Sequence, residues 1–250
     1  MPDLLATALA LPGVWWLVGA IVAAGLVRGF TGFGSALIIM PMASSVLDPF
    51  AALAFLTVVE FWGPLPNLRA AWRDGTPREA GLLLVGAAVG LPLGLLGLSM
   101  LDPEIFGWSV SITVMILLVL VMSGWRCAGS LRPGGVVGIG TMGGFLGGIA
   151  GVPGPPVIMF YMASAQAIAV IRANFLLYLL GIDVLMIVLF LGFDLLDPLA
   201  LTVGLLCAPL YMCANVLGAW LFDPRSERLF RAVAYIVIAA AAIVGLPVWS

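Results

Sequence analysis

The chain has 250 residues, 63% of them hydrophobic and only 9% charged, with a net charge of −2 and a mean hydropathy of +1.22. A soluble domain carries about 25% charge, so this composition excludes a water-soluble globule and implies a polytopic α-helical membrane protein. It forms one domain over residues 1–250, because no hydrophilic stretch is long enough for a second. All ten basic residues are arginine and there is no histidine, which excludes histidine acid–base chemistry and haem ligation by histidine. No basic and aromatic pattern suggests nucleic acid.

The elements follow in order. Leu4 to Leu11 is short and apolar and stops at Pro12-Gly13, reading as an interfacial piece or the start of the first helix. The N-terminus lacks the basic region of a cleaved signal peptide. Segment 1 is predicted over about 13–31 and segment 2 over about 35–47, ending at Asp48-Pro49. Segment 3, over about 50–68, carries Glu60 and is followed by a polar loop with Arg69, Arg73, Asp74, Arg78 and Glu79. Segments 4 and 5 cover about 80–100 and 105–125, around the turn Asp102-Pro103-Glu104. A loop with Arg126 and Arg132 joins the halves. Segments 6 and 7 follow over about 135–150 and 155–167, and segment 8 over about 171–192, closing on an acidic turn from Asp194 to Asp197. Segment 9 (about 199–221), a loop with Arg225, Arg228 and Arg231, and segment 10 (about 230–248) complete the chain.

Arginines in short loops mark the cytoplasmic side. That places the loops at 69–78, 126–132 and 225–231 inside, and those near Asp48, Asp102 and Asp194 outside. Segment 3 then runs out to in while its counterpart, segment 8, runs in to out. The expected architecture is two inverted repeats, about 13–125 and 135–248, each a broken-helix hairpin plus three transmembrane helices.

The hairpins rest on a doubled motif. Gly25, Gly29 and Gly32 recur as Gly144, Gly148 and Gly151, each 119 positions later. The four-residue spacing allows close helix approach, so the first two glycines of each copy read as packing. The breaks are Gly32-Phe33-Gly34-Ser35 and Gly151-Val152-Pro153-Gly154, the latter followed by Pro155 and Pro156. A broken helix frees backbone groups that lipid cannot satisfy, so it persists only where it is buried or lines a cavity. Two helices restarting there are expected to aim free N–H groups and positive dipole ends at an anion. Ser35 is either an N-cap or a ligand group.

Four charged residues fall in apolar segments or at their starts: Arg28, Glu60, Arg172 and Asp183. Each costs roughly 2.5–3.5 kcal/mol if it faces lipid. Arg28 and Arg172, the latter with Asn174 two residues on, are candidate oxyanion holders, since arginine grips oxyanions bidentately; snorkelling or structural pairing is the competing reading. Glu60 and Asp183 are candidate proton-coupling carboxylates, against pairing with a nearby arginine. Asn67, Gln166 and Asn215 are weaker path-lining candidates. Cys127, Cys207 and Cys213 form no CxxC and no metal-ligand spacing and read as packing residues, so neither metal nor cofactor is expected. An aspartyl protease is disfavoured, because Asp183 lies outside a GxGD motif.

The stretches Gly25 to Pro41 and Gly144 to Pro156 resemble the doubled glycine-rich motif of the sulfite exporter TauE/SafE family, and Arg172-Ala173-Asn174 resembles the polar start of the helix after its second motif. The sequence departs from the family pattern at Ser35 and Ala36 and in the proline-rich Pro153–Pro156. The resemblance implies about eight spans, a bacterial inner membrane, and transport of small sulfur anions such as sulfite, thiosulfate or sulfonates. The residues alone imply an inverted-repeat transporter, most simply for an anion, with a channel or a non-transporting scaffold as alternatives. The partners implied are the bilayer, a small anionic substrate and a coupling proton or ion; a homodimer stays open.

Overall fold

Proline and aspartate punctuate the chain. Pro49, Pro77, Pro103, Pro133 and Pro198 each open a helix at its first position, where the missing N–H costs nothing and the fixed φ suits the helix. Asp197 also accepts the Leu199 N–H at 2.7 Å. The computed structural model describes residues 7–8, 10–124, 132–164, 166–221 and 227–249, and no strand occurs among them. Arg126 and Arg225, two of the arginines used for topology, and Cys127 lie outside the described residues.

The helices are α1 Val14–Thr31, α2 Ser35–Ser44, α3 Pro49–Glu60, α4 Leu68–Asp74, α5 Pro77–Leu98, α6 Pro103–Met122, α7 Pro133–Ala150, α8 Gly154–Ala163, α9 Ile168–Gly192, α10 Pro198–Leu221 and α11 Glu227–Val244. Six are long and apolar enough to cross a membrane: α1, α5, α6, α7, α9 and α10. The chain is therefore a multi-pass, all-helical membrane protein. The short arms α2 and α8 have 10 residues each, about 15 Å at 1.5 Å per residue, or half of a hydrocarbon core of about 30 Å.

Two expectations need correction. Segment 3 is not one straight span: α3 stops at Glu60, and after Phe61–Pro64 and a 3-10 turn over Leu65–Asn67 the chain resumes as α4, bent by 43°. Gly63, Pro64 and Pro66 cause the interruption, and Glu60 consequently sits at the end of α3, beside the break. Arg69, Arg73 and Asp74 belong to α4 and not to a loop. Segment 10 is helical to Val244 only, and its apolar stretch, Leu229–Val244, is shorter than the six spanning helices, because Glu227, Arg228 and Arg231 occupy its first turns.

Backbone approach at glycine organises the packing. Gly86, Gly90 and Gly94 of α5 face Gly140, Gly144 and Gly148 of α7 along one seam, backbone against backbone. A Cβ on Gly144 would fall 2.7 Å from both the Cα and the carbonyl oxygen of Ala87. Gly25 and Gly29 of α1 meet Ala214 and Gly218 of α10 in a second seam. Small residues let membrane helices gain dispersion contact where no hydrophobic drive exists between them. The pairing is reciprocal between the halves. α5 packs on α7 and α10 on α1; α9 packs on α5 and α3 on α10; α11 packs on α2 and α6 on α8. The long arm of each hairpin thus packs chiefly against the other half.

Because the neighbour at Gly144 is main chain, it cannot step aside. Gly144→Ala is expected to cost about 1–3 kcal/mol as an overpacked contact, and Gly144→Leu more. Thermal unfolding in detergent should show both losses, whereas Gly138→Ala, at a glycine with open space around it, should leave the midpoint unmoved.

Candidate functional site

The two breaks use glycine differently. Helix α1 ends at Gly32, φ 78°, whose N–H bonds Arg28 O at 2.7 Å, and Gly34 follows at φ 93°. Both angles are left-handed, where a Cβ is strained. The Thr31 hydroxyl braces the turn, 2.7 Å from Val27 O and 2.6 Å from Phe33 O. Helix α2 then starts at Ser35 with no side-chain cap, which leaves the amides of its first turn, Ser35, Ala36 and Leu37, without intrahelical partners. Helix α7 ends at Gly151, φ 70°, in a reverse-turn cap: Gly151 N–H bonds Gly147 O at 3.0 Å and Val152 N–H bonds Leu146 O at 3.2 Å. Helix α8 restarts at Gly154, but Pro155 and Pro156 occupy its next positions and carry no N–H. The expected pair of equivalent amide-rich ends is therefore unequal: the first break presents three amides, the second only that of Gly154.

The breaks meet. Gly34 and Ser35 from the first and Pro153, Gly154 and Pro155 from the second line one void of about 30 Å³, together with Arg28, Phe33 and Glu60. It has room for a water molecule. Beside it lies a buried polar cluster in which Ser35, Glu60, Asp183 and Arg28 are 2%, 7%, 8% and 9% exposed. Arg28 Nη1 is 3.3 Å from Glu60 Oε1 and donates to Ser35 Oγ at 3.1 Å, and Ser35 Oγ donates to the same Glu60 oxygen. Asp183 from α9 and the Tyr211 hydroxyl from α10 are close enough to act on these charges, although the Tyr211 hydroxyl makes no well-formed hydrogen bond. Three interrupted elements thus converge: α1 supplies Arg28, α2 Ser35, and the end of α3 Glu60. Removing one partner of such a pair leaves the other charge buried alone, a loss of about 3–5 kcal/mol.

A second, larger cavity of about 610 Å³ reaches Arg28 from one end of the molecule. Gly32 and Phe33 of the first break line it, as do Asn67, Gln166 and Asn215, and Asn67, Arg172 and Arg231 are exposed where they border it. Among the described residues its lining holds three arginines and no carboxylate. Glu60 borders only the inner void, so the arginines are the charged groups that the described lining of the open cavity presents.

Of the expected site residues, Arg28, Gly32, Phe33 and Arg172 line the large cavity, and Gly34, Ser35, Pro153 and Gly154 line the void with Arg28 and Phe33. Gly151 and Val152 are buried behind them, where a Cβ on Gly151 would press on Met40. Asn174 lines neither cavity. It is fully buried, and its Oδ1 accepts the Thr76 N–H at 2.5 Å, tying α9 to the turn before α5. Nearby, Gln166 Nε2 donates to Glu79 Oε2 at 2.9 Å. Asp183 borders neither cavity. Sequence reasoning passed over Thr31 and Tyr211. A tyrosine among apolar residues in a spanning segment is the available signal for the second, since its hydroxyl must face something polar.

The sulfite exporter TauE/SafE family profile matches residues 17–244. Comparison with curated proteins and with solved structures gave no significant match. The match spans both breaks, both cavities and the helices from within α1 to the end of α11, and on that evidence the chain belongs to the sulfite exporter TauE/SafE family of membrane transporters of sulfite-type anions.

Proposed function

We propose that the protein is a secondary transporter, working as an exporter, that moves a small sulfur oxyanion such as sulfite, thiosulfate or an organosulfonate across the bacterial inner membrane by alternating access. The observation that carries this reading is the cavity bordered by Arg172 and Arg231 and ending at Arg28, where the two helix breaks meet. A desolvated guanidinium with an uncapped helix start beside it suits an oxyanion in charge, in donor geometry and in dipole direction.

The reciprocal packing of the halves supports two inverted repeats, the arrangement in which one half rocks against the other around a site at their interface. The narrowing from about 610 Å³ to about 30 Å³ supports a carrier over a channel, since a channel needs a continuous path. Arg172 and Arg231 border the wide cavity, and the clustering of arginines on the cytoplasmic side makes that the cytoplasmic entrance. In this reading Arg172 gathers the anion, Arg28 holds it, and the amides of Ser35, Ala36 and Leu37 take its oxygens.

In proteoliposomes, Arg28→Ala is expected to abolish transport of sulfite, thiosulfate and methanesulfonate alike. Arg172→Ala should raise KM about tenfold, or about 1.4 kcal/mol, with kcat changed little and with a weaker salt dependence, as for a rim charge. Unaltered kinetics for all three anions in both variants would refute the site. Orientation is checked separately: in whole cells a cysteine at Ser45 should react with an impermeant thiol reagent from outside, and one at Thr76 should not.

A further inference from the structure

Arg28 is the one charged residue, among those described, that borders both cavities. Within the inner void it already has an anion: Glu60 Oε1 lies 3.3 Å from its Nη1, with Ser35 bonded to both. An oxyanion arriving through the open cavity therefore meets a guanidinium that is taken. From the site proposed above, we infer that Glu60 is a stand-in for the substrate: it neutralises Arg28 in the empty carrier, is displaced when the anion binds, and then takes up a proton that travels with the anion.

The argument is one of charge. An ion pair out of water tolerates neither an unpaired guanidinium nor a second uncompensated carboxylate. The empty site holds Arg28 and ionised Glu60. The site loaded with a monoanion holds Arg28, the anion and protonated Glu60. The two have the same net charge, so either can cross between the two faces of the membrane. The groups facing Glu60 enforce the exchange. Arg28 on α1 and Ser35 on α2 are its partners, Tyr211 on α10 offers a neutral hydroxyl, and Asp183 on α9 is the second carboxyl group within reach of the cluster. No covalent bond changes; one proton is bound from the side on which the anion enters and released where it leaves. A monoanion then moves without net charge, and a dianion carries one negative charge per cycle.

The test uses the intact protein in proteoliposomes, with methanesulfonate as a permanent monoanion and thiosulfate as a dianion. For the wild type, apparent affinity should rise about tenfold per pH unit as pH falls, the signature of one proton taken up per anion, and a trapped pH dye should report proton movement in the direction of the anion. Glu60→Gln removes the competitor. It should bind methanesulfonate at least tenfold more tightly at neutral pH, with the pH dependence gone. It should also keep exchange of labelled for unlabelled anion while losing net uptake, since its empty Arg28 has no counter-charge for the return. Retained exchange shows that the variant is folded; if it is absent, Glu60→Asp, which keeps the acid, must restore proton-coupled uptake. Wild-type proton-coupled net uptake in Glu60→Gln overturns the inference, as does coupling abolished by Asp183→Asn and not by Glu60→Gln. Either result leaves the transport reading standing, whereas a wild type that moves neither anion overturns both.

Discussion

A guanidinium withdrawn from water into a membrane protein must keep a counter-anion, and the arrangement around Arg28 follows from that requirement. Glu60 reaches it because α3 stops short and turns at Gly63-Pro64. Ser35 reaches both because α2 restarts where α1 has just been broken. Each interruption exposes backbone groups at a depth where lipid cannot satisfy them, so the breaks need the polar cluster as much as the cluster needs the breaks. Their concentration at one place is a mutual solution to two desolvation problems.

The glycine seams make that solution affordable in space. Two broken hairpins have fewer spanning contacts than continuous helices, and something rigid must hold them. The long arms α1 and α7 are clamped at backbone distance by α10 and α5, each from the opposite half. The short arms α2 and α8 are carried on these clamped helices and touch α11 and α6 more lightly. The seams also fix which face of α1 turns inward: Gly25 and Gly29 lie on the face against α10, and Arg28 is directed toward Ser35 and Glu60.

Much of this was readable before any coordinates. Composition gave the class, aspartate-proline pairs gave the starts of α3, α6 and α10, and the repeated glycine spacing located both breaks to within a residue or two. Arg28, Ser35, Pro153 and Gly154 were identifiable because charge, glycine and proline in apolar segments are costly and demand a reason. What was lost had physical causes too. The bend after Glu60 was hidden by hydropathy, since Trp62, Pro64 and Leu65 keep the segment apolar while Gly63 and Pro64 break it. The pairing of Arg28 with Glu60 joins α1 to α3, and no local pattern encodes a contact between helices. Asn174 looked like a ligand from its neighbour Arg172, but residues two apart on a helix point in different directions, and Asn174 braces a turn instead.

The prolines after Gly154 have a consequence for whatever occupies the centre. The void is lined by Ser35, Ala36 and Leu37 from the start of α2 and by Pro153, Gly154 and Pro155 from the second break, and the two prolines bring no N–H. A water molecule held there would find several amide donors on the first break and, on the second, only that of Gly154. Likeness between the two breaks thus coexists with a void whose hydrogen-bond donors come unequally from its two sides.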